Sequence, residues 1–315
     1  VDDILIASSD IEDVNAIKEL ISRRFKLVDN GPVKHFLGME IDRNGGTGKI
    51  SVGHKQYITN LLRQYEMENC RPASTPLDPG FQISCKNDNC ERVDQNWYQS
   101  IVGTLMYLAI STRSDILHSV CKLAQRNQDP HSEHEQAVKH VLRYLSATKD
   151  LKLQYSKTGK LPEGFVDADW ASCSEDRKSY TGFSFFLAGC AFSWESKKQS
   201  NIALSSTEAE FVALSTAAKE AVYLKRLLTE IKFYTDDSPM ITYGDNLGAQ
   251  HLAKNPVLHG RCKHIDVKYQ HVREVVRSNQ IEIRFISTNS MTSDIFTKNL
   301  SKAKHVKFVE CLGLK

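Results

Sequence analysis

The sequence lacks the features of a membrane protein and of a disulfide-stabilised secreted domain. No apolar run approaches the roughly 20 residues of a membrane-spanning helix, and the first residues show no secretory signal. The eight cysteines are spread along 315 residues without a Cys-x-x-Cys pair, which predicts reduced thiols rather than a disulfide framework or a zinc site. Lys and Arg total 41 and Asp and Glu total 38, so a histone-like basic protein is excluded, whereas a local nucleic-acid-binding patch is not.

What the sequence contains is an ordinary globular composition, with 41% hydrophobic and 25% charged residues. Its length predicts about two domains. Because the chain begins with Val1 rather than Met, we interpret it as part of a longer polyprotein. No internal repeat or low-complexity tract interrupts the pattern.

The first 78 residues carry short elements of mixed type. Residues 1–7 are predicted to form a short apolar strand, and apolar residues recur at helical spacing after Asp10, a candidate helix cap. A Gly-rich turn at residues 44–48 between two apolar runs predicts a hairpin. We therefore predict a first unit at residues 1–78.

Helical periodicity dominates residues 79–154. A cluster of proline and glycine at residues 71–80 separates this region from the first unit. Three amphipathic stripes between residues 97 and 151 then predict three helices. The second predicted unit is therefore helical.

From residue 155 onward the pattern becomes mixed α/β. Three short strand-like runs are followed by a long amphipathic helix, and strand and helix patterns then alternate. The predicted strands span 165–170, 181–187, 191–196, 240–243 and 281–286, and the predicted helices span 206–231, 246–253, 265–277 and 291–297. This order predicts a mixed α/β domain at residues 155–315.

Four acidic residues of this domain fall where α/β proteins gather functional groups, in strands or at strand ends and helix starts. They are Asp167, Glu208, Asp245 and Asp294. Carboxylate oxygens from separate elements suit Mg²⁺, and two such ions can activate a water and stabilise the leaving oxygen in phosphodiester hydrolysis. The pattern indicates a metal-dependent hydrolytic site.

Each acid also has a structural explanation. Glu208 completes a capping box, and Asp245 and Asp294 stand where acids favour a helix N-terminus. Asp169 lies two residues beyond Asp167, on the same face of a strand, and competes with it. The pattern alone leaves helix caps and a metal site as alternatives.

Short motifs in a fixed order change the balance between these alternatives. The motifs are Asp167-Ala-Asp169-Trp170, Asp176-Arg177-Lys178-Ser179-Tyr180-Thr181-Gly182, Ser193-Trp194-Glu195-Ser196-Lys197-Lys198-Gln199, Ala203-Leu204-Ser205-Ser206-Thr207-Glu208-Ala209-Glu210, Asp245-Asn246, Ala253-Lys254-Asn255-Pro256, Lys263-His264-Ile265-Asp266 and Ser293-Asp294-Ile295-Phe296-Thr297-Lys298. Together they resemble the ribonuclease H domain of copia-type LTR retrotransposons. The resemblance covers nearly all of residues 160–312.

The resemblance implies a catalytic site with two Mg²⁺ ions, with Mn²⁺ as a second candidate ion. It assigns catalysis and metal binding to Asp167, Glu208, Asp245 and Asp294. Asp167 is preferred to Asp169 because the family's acid directly precedes the alanine, and Asp169 and Glu210 would then have supporting roles. The implied reaction is hydrolysis of the RNA strand of an RNA–DNA hybrid.

The first half resembles the reverse transcriptase of the same polyprotein. The resemblance rests on Val1-Asp2-Asp3-Ile4-Leu5, His35-Phe36-Leu37-Gly38-Met39-Glu40, Met67-Glu68-Asn69-Cys70, Ser74-Thr75-Pro76-Leu77, Gly103-Thr104-Leu105-Met106-Tyr107-Leu108 and His140-Val141-Leu142-Arg143-Tyr144-Leu145. It implies a palm remnant at residues 1–78 and a thumb-like or connection-like helical segment at residues 79–154. Because the fingers, most of the palm and the third metal-binding acid are absent, we expect Asp2 and Asp3 to be polymerase relics and polymerase activity to be lost.

A basic stretch near the end of the chain is the candidate nucleic-acid interface. Its candidate contact residues are Lys254, Arg261, Lys263, His264, Lys268 and Arg273. Basic side chains in this density favour binding to a nucleic-acid backbone, and a solvated helix face is the alternative.

The resemblance also implies the setting in which the protein acts. We expect an RNA–DNA hybrid and the missing upstream Pol segments as partners, no membrane, and an intracellular location in a cytoplasmic virus-like particle or the nucleus. A non-catalytic nucleic-acid-binding or assembly relic of the element is the alternative function. The sequence does not indicate an oligomeric state.

Overall fold

The computed structural model is mixed α/β, as predicted, and describes residues 3–83, 91–234, 237–254 and 263–315, without the side chains of residues 263–267 and 269. Its helices are α1 (Ile11–Ser22), α2 (Lys55–Gln64), α3 (Gln95–Ser111), α4 (Leu117–Ala124), α5 (Ser132–Thr148), α6 (Ser206–Glu230), α7 (Leu247–Lys254), α8 (Lys263–Arg277) and α9 (Lys302–Cys311). Its strands are β1 (His35–Phe36), β2 (Met39–Asn44), β3 (Lys49–Gly53), β4 (Leu153–Tyr155), β5 (Glu163–Asp169), β6 (Tyr180–Leu187), β7 (Cys190–Lys198), β8 (Met240–Gly244) and β9 (Ile281–Phe285). Short 3₁₀ helices lie at Ser114–Ile116, Thr288–Ser290 and Thr292–Phe296.

Helix α1 begins at the predicted cap, because the Asp10 carboxylate accepts a hydrogen bond from the backbone of Glu12 at 2.9 Å. The strand predicted for residues 1–7 is not formed in its described part, residues 3–7, which pair with no neighbouring strand. A strand is stable only when a neighbour accepts its backbone hydrogen bonds, so an apolar run alone is insufficient. Helix α1 buries none of its side chains.

The first sheet is antiparallel, with the strand order β1-β2-β3-β4. The predicted hairpin forms its centre, where Asn44 pairs with Lys49 around the Gly-rich turn. Strand β4 completes the sheet and crosses the predicted boundary between residues 154 and 155. The backbones of Lys152 and Lys315 also exchange two hydrogen bonds, at 2.9 and 3.0 Å, so the C-terminus is attached to the first half.

Helices α2 to α5 build the first hydrophobic core, which includes fully buried Ile58, Leu105 and Val138. The same core contains Phe296 and Phe308, which come from the last 3₁₀ helix and from α9. Burying apolar surface stabilises a fold by about 25 cal/mol per Å². The packing of these two large side chains therefore attaches the last segment of the chain to the helical region.

The second sheet has the order β7-β6-β5-β8-β9. Strands β5, β6 and β7 are antiparallel neighbours, whereas β5, β8 and β9 run parallel. Helix α6 joins the antiparallel half to the parallel half and packs closely on β5 and β6. The central position of β5 places its side chains between both halves of the sheet.

The two faces of the second sheet are covered differently. The face toward α6 meets a buried, alanine-rich stripe, whose members include Ala213, Ala217 and Ala221. The other face meets the 3₁₀ helix Thr292–Phe296, which approaches β6 at Gly182. A Cβ atom at Gly182 would lie 2.7 Å from Phe296 Cβ and Thr297 Cγ2, so only glycine permits this approach.

Among the described residues, no helix is both long enough and apolar enough to cross a membrane.

Candidate metal centre

Parallel pairing brings the first two acids together. Strands β5 and β8 pair in parallel with Phe165 opposite Tyr243. Asp167 and Asp245 each follow two residues later, Asp167 within β5 and Asp245 directly after β8. Residues two apart in extended chain point to the same face. The Asp167 side chain is buried, whereas Asp245 lies at the end of its strand and is partly exposed.

The third acid of the cluster is Glu210, which lies in the second turn of α6. In a helix, residues spaced by three and four form one stripe, and Glu210 begins the stripe that continues through Leu214, Ala217, Ala221 and Leu224, all of them buried. This stripe faces the sheet, so the Glu210 carboxylate is directed to β5. Its carboxylate also accepts a hydrogen bond from the backbone of Ala168.

The carboxylates of Asp167, Glu210 and Asp245 form one cluster, with a ligand oxygen from each residue within 4.8 Å of the others. Hard oxygen donors at this spacing can surround one divalent ion, with water completing the coordination. Among the described residues, no other group of three His, Cys, Asp or Glu side chains meets this geometric test.

Glu208, which the sequence analysis placed among the metal ligands, lies outside this cluster. Glu208 and Glu210 are two residues apart, or about 200° around the helix axis, so they cannot face the sheet together. The Glu208 carboxylate accepts a hydrogen bond from the backbone of Leu204 at 2.9 Å, and the backbone of Glu208 donates to the Ser205 hydroxyl at 3.1 Å. Its observed contacts are therefore those of a helix cap.

Asp294, the fourth predicted ligand, is fully buried at the edge of the cluster. Its Oδ1 lies 3.0 Å from the Lys298 ammonium, and its Oδ2 forms an ion pair with Lys304. Both oxygens therefore face lysines, although the charge of Asp294 still acts on Asp167.

Hydrogen bonds from neighbouring hydroxyl groups hold the clustered carboxylates in place. Thr297 donates its hydroxyl to Asp167 Oδ2. Thr288 donates to Asp245 Oδ2 at 2.7 Å. The following residue, Asn246, accepts from the backbone of Ala249 at 2.9 Å and so caps α7 in place of Asp245. Such supporting bonds orient metal ligands in proteins.

Burial and mutual repulsion weaken the acidity of the cluster. Burial raises the pKa of Glu210 to about 9, and the nearby charges of Asp167 and Asp245 add to the shift. Burial also raises the pKa of Asp167 to about 6, although the Lys298 ammonium opposes the change. A carboxylate cluster that resists ionisation has the electrostatic character expected of a cation site.

These shifts predict that the ion-free chain loses stability as the pH rises from 7 to 9. The pKa of Glu210 lies near 9 in the folded chain against an ordinary 4.5, so in this interval the unfolded chain releases a proton that the folded chain retains. Rising pH therefore favours unfolding. We expect the free energy of unfolding in urea with EDTA to fall across this interval, and to fall less in Glu210→Gln.

The interval from pH 7 to 9 is chosen because the buried histidines stay uncharged in the folded chain there and contribute little to the change in stability. Burial lowers the pKa of His118 to about 3 and the pKa values of His54 and His305 to about 4. Glu210→Gln corrects for cysteines and tyrosines that titrate in the same interval. An equal loss of stability in both proteins would contradict the assignment of the shift to Glu210.

The predicted nucleic-acid interface is only partly described. Arg261 and the side chains of Lys263 and His264 lie outside the described residues. Lys254 is exposed, whereas Arg273 donates from Nε to the backbone of Leu252 at 3.1 Å and so joins α8 to α7.

Lys268, another described residue of this interface, lies beside the start of α6. It lines a depression of about 170 Å³ together with Ala203, Glu208 and Val212. Burial lowers its pKa, the Lys219 ammonium adds to this effect, and Glu208 opposes it. Lys268 therefore offers a positive charge beside the first turn of α6.

The predicted polymerase relic lies at the edge of the described chain. Asp2 is outside the described residues, and Asp3 is exposed and belongs to no helix or strand. Among the described residues, Asp3 belongs to no group of three or more His, Cys, Asp or Glu side chains at metal-ligand spacing.

The comparisons with known proteins agree with this arrangement of the chain. Residues 1–79 match the reverse transcriptase (RNA-dependent DNA polymerase) family. Over its whole length the chain is 36% identical to the retrovirus-related Pol polyprotein from transposon TNT 1-94 of Nicotiana tabacum, and 36% identical to that from transposon RE1 of Arabidopsis thaliana. It spans 24% and 21% of the length of these two polyproteins.

Among solved structures, the foamy viral protease-reverse transcriptase in complex with RNA/DNA hybrid is similar over 90% of this chain and 34% of that chain, with 13% identity and a TM-score of 0.45. The membership rests instead on sequence, because the similarity to the plant polyproteins extends over the full chain. The chain belongs to the copia-type retrotransposon Pol polyproteins.

Proposed function

We propose that residues 155–315 hydrolyse the RNA strand of RNA–DNA hybrids in a metal-dependent reaction. The observation that carries the proposal is the convergence of Asp167, Glu210 and Asp245 within 4.8 Å, where β5, the end of β8 and the start of α6 meet. Together with the ribonuclease H motifs in the sequence, this convergence supports a phosphodiester hydrolase rather than a binding module.

The donor set fits Mg²⁺, with Mn²⁺ as the second candidate. The three ligands are clustered carboxylates, and the pKa values of Glu210 and Asp167 are raised. Such oxygen donors favour a hard divalent cation over a soft one. When bound, such an ion lowers the pKa of a water molecule and stabilises charge on the phosphate oxygens. In place of the four acids expected from the sequence, we assign the ligands as Asp167, Glu210 and Asp245.

The protein's own residues would prepare the site before substrate arrives. The Thr297 hydroxyl and the Lys298 ammonium both contact Asp167 Oδ2, and the latter lies at 3.5 Å. Thr288 fixes Asp245 in the same way. Because these contacts set the orientation of each carboxylate, the ligands need little rearrangement on binding.

Electrostatics would then favour the hybrid at the rim of the site. Lys268 beside the start of α6 and the exposed Lys254 at the end of α7 supply positive charge. Such charges attract a phosphate backbone irrespective of its sequence. We assign recognition of the RNA strand to contacts with its 2′-hydroxyl groups.

The test is cleavage of a labelled RNA–DNA hybrid by the full chain with Mg²⁺. We expect cleavage of the RNA strand, none in EDTA, and none of a DNA duplex of the same sequence. Asp245→Asn keeps the size of the side chain but removes a ligand charge, so it should abolish cleavage.

The outcomes separate an enzyme from a non-catalytic module. Binding of the hybrid without cleavage by the wild type would overturn the proposal and leave a nucleic-acid-binding role. Cleavage that persists in Asp245→Asn would place the activity elsewhere or in a contaminant.

For residues 1–78 we propose no independent polymerase activity. Among the described residues, exposed Asp3 belongs to no group of three or more side chains at metal-ligand spacing, and a polymerase needs carboxylates that hold two metal ions. The upstream segments of Pol are the proposed partners that would complete this region.

A further inference from the structure

Lys298 occupies an unusual position between two acids of the metal centre. Its ammonium lies 3.0 Å from Asp294 Oδ1 and 3.5 Å from Asp167 Oδ2. Asp294 is four residues earlier in the chain, so one helical turn aligns the two side chains. The side chain of Lys298 is one third exposed, whereas those of Asp167 and Asp294 are buried.

A second lysine completes this arrangement from another element. Lys304, in the first turn of α9, pairs with the other oxygen of Asp294. Asp294 thus carries a lysine on each oxygen, and Lys298 extends the chain of charges to Asp167. The ion pairs follow from the packing of α9 against the last 3₁₀ helix.

The charges around the site balance with one divalent ion. Ionised Asp167, Glu210, Asp245 and Asp294 carry four negative charges, and Lys298 and Lys304 carry two positive charges. One Mg²⁺ neutralises the remainder in the substrate-free chain. A second ion would place excess positive charge in a partly buried site, where repulsion is weakly screened.

We propose that Lys298 is a built-in cation that limits the substrate-free chain to one divalent ion, held by Asp167, Glu210 and Asp245. Lys298 acts as a positioning residue, because it holds Asp167 and Asp294 where a second ion would otherwise draw them. This inference rests on the metal site of the proposed function and concerns the chain before nucleic acid binds.

The protonation of Lys298 agrees with this role. Burial lowers the pKa of the ammonium group, but the adjacent carboxylates of Asp167 and Asp294 outweigh that effect and hold the pKa above its ordinary range. The side chain therefore keeps its positive charge at neutral pH.

The experiment counts bound ions in the absence of nucleic acid. Mn²⁺ is titrated into the full chain, and the free ion is measured by electron paramagnetic resonance. We expect one ion per chain in the wild type. Lys298→Met keeps the length of the side chain without its charge, and we expect it to bind a second ion or to bind the first about tenfold more tightly or better.

Matched variants distinguish an effect of the position of Lys298 from an effect of the total charge of the chain. Lys302→Met removes an equal charge from an exposed site on α9 and should retain one ion and the wild-type affinity. Lys298→Arg keeps the charge and should also retain one ion. Circular dichroism on each variant establishes that it is folded before its ions are counted.

Each outcome decides one question. Two ions in the wild type would overturn the inference and leave the proposed hydrolase intact, and this result needs no variant. Unchanged binding in folded Lys298→Met would also overturn it. The wild type should bind an ion that Asp245→Asn no longer binds. If it does not, the metal centre itself is absent and the proposed function fails.

Discussion

Changing Glu210 to glutamine is expected to lower the rate of RNA cleavage about 10³-fold or more, as for other groups that stabilise charge in a transition state. The same change at Glu208 is expected to leave the rate unaltered within error. The two residues are separated by only one position, and both lie near the start of α6. Comparing the two variants therefore shows which side of α6 carries the metal ligand.

The physical reason is the different environment of the two carboxylates. Glu210 belongs to the cluster with Asp167 and Asp245, and an amide in its place has no charge for a metal ion. The Glu208 carboxylate accepts one backbone hydrogen bond, from Leu204. The amide oxygen of glutamine can accept the same bond, so the helix cap is retained.

Stability measurements rule out unfolding as the cause of a lost rate. In EDTA at pH 8, burial keeps the Glu210 carboxyl protonated in the folded chain, whereas the unfolded chain releases this proton. Glutamine has no proton to release, so Glu210→Gln should unfold at a higher urea concentration than the wild type. Lost cleavage together with greater stability would identify a ligand. A strong loss of cleavage rate in Glu208→Gln, with full activity in Glu210→Gln, would instead support Glu208 as the ligand, as expected from the sequence.

The sequence allowed the second sheet and its long helix to be predicted, because their periodicities are local signals. The preference for Glu210 over Glu208 as a ligand rests on helix geometry. Extending the apolar stripe of α6 backwards from Ala217 and Leu214 reaches Glu210 and not Glu208. That signal was present in the sequence, whereas the capping pattern and the position of the motif favoured the other residue.

Contacts between distant segments could not be predicted in this way. The pairing of Lys152 with Lys315 joins the end of the helical region to the last residue of the chain, and the ion pair between Lys304 and Asp294 depends on the packing of α9. Residues 3–7 show the reverse case, because an apolar run typical of a strand has no neighbouring strand to pair with. Local pattern indicates what a segment can form, and tertiary contact determines what it forms.

A buried ion pair in the helical region illustrates such a tertiary contact. Arg113 and Asp115 have fully buried side chains and are joined by two hydrogen bonds, of 3.0 and 2.7 Å. Tyr144 of α5 donates its hydroxyl to Asp115 at 2.7 Å, and His305 of α9 lies 3.0 Å from the same hydroxyl. The network therefore connects the helical region to the segment that follows the metal centre.

Asp115→Asn is expected to lower the free energy of unfolding by about 3–5 kcal/mol, the usual cost of leaving one buried charge without its partner. The Arg113 guanidinium would remain in the core, where Thr148 accepts two of its hydrogen bonds and the Tyr144 ring lies 5.6 Å away. Urea unfolding followed by circular dichroism measures the change. Glu19→Gln, which breaks an exposed ion pair with Arg23, is the control and should have no measurable effect.

The double variant Arg113→Met with Asp115→Leu shows whether the charge itself is the cause. Removing both charged groups leaves no ion to be desolvated, so this variant should be more stable than Asp115→Asn. If the double variant is instead the less stable of the two, the pair contributes mainly through its hydrogen bonds to Tyr144 and Thr148. In either case, the network around this pair reaches His305 of α9, the helix whose Lys304 pairs with the buried acid beside the metal centre.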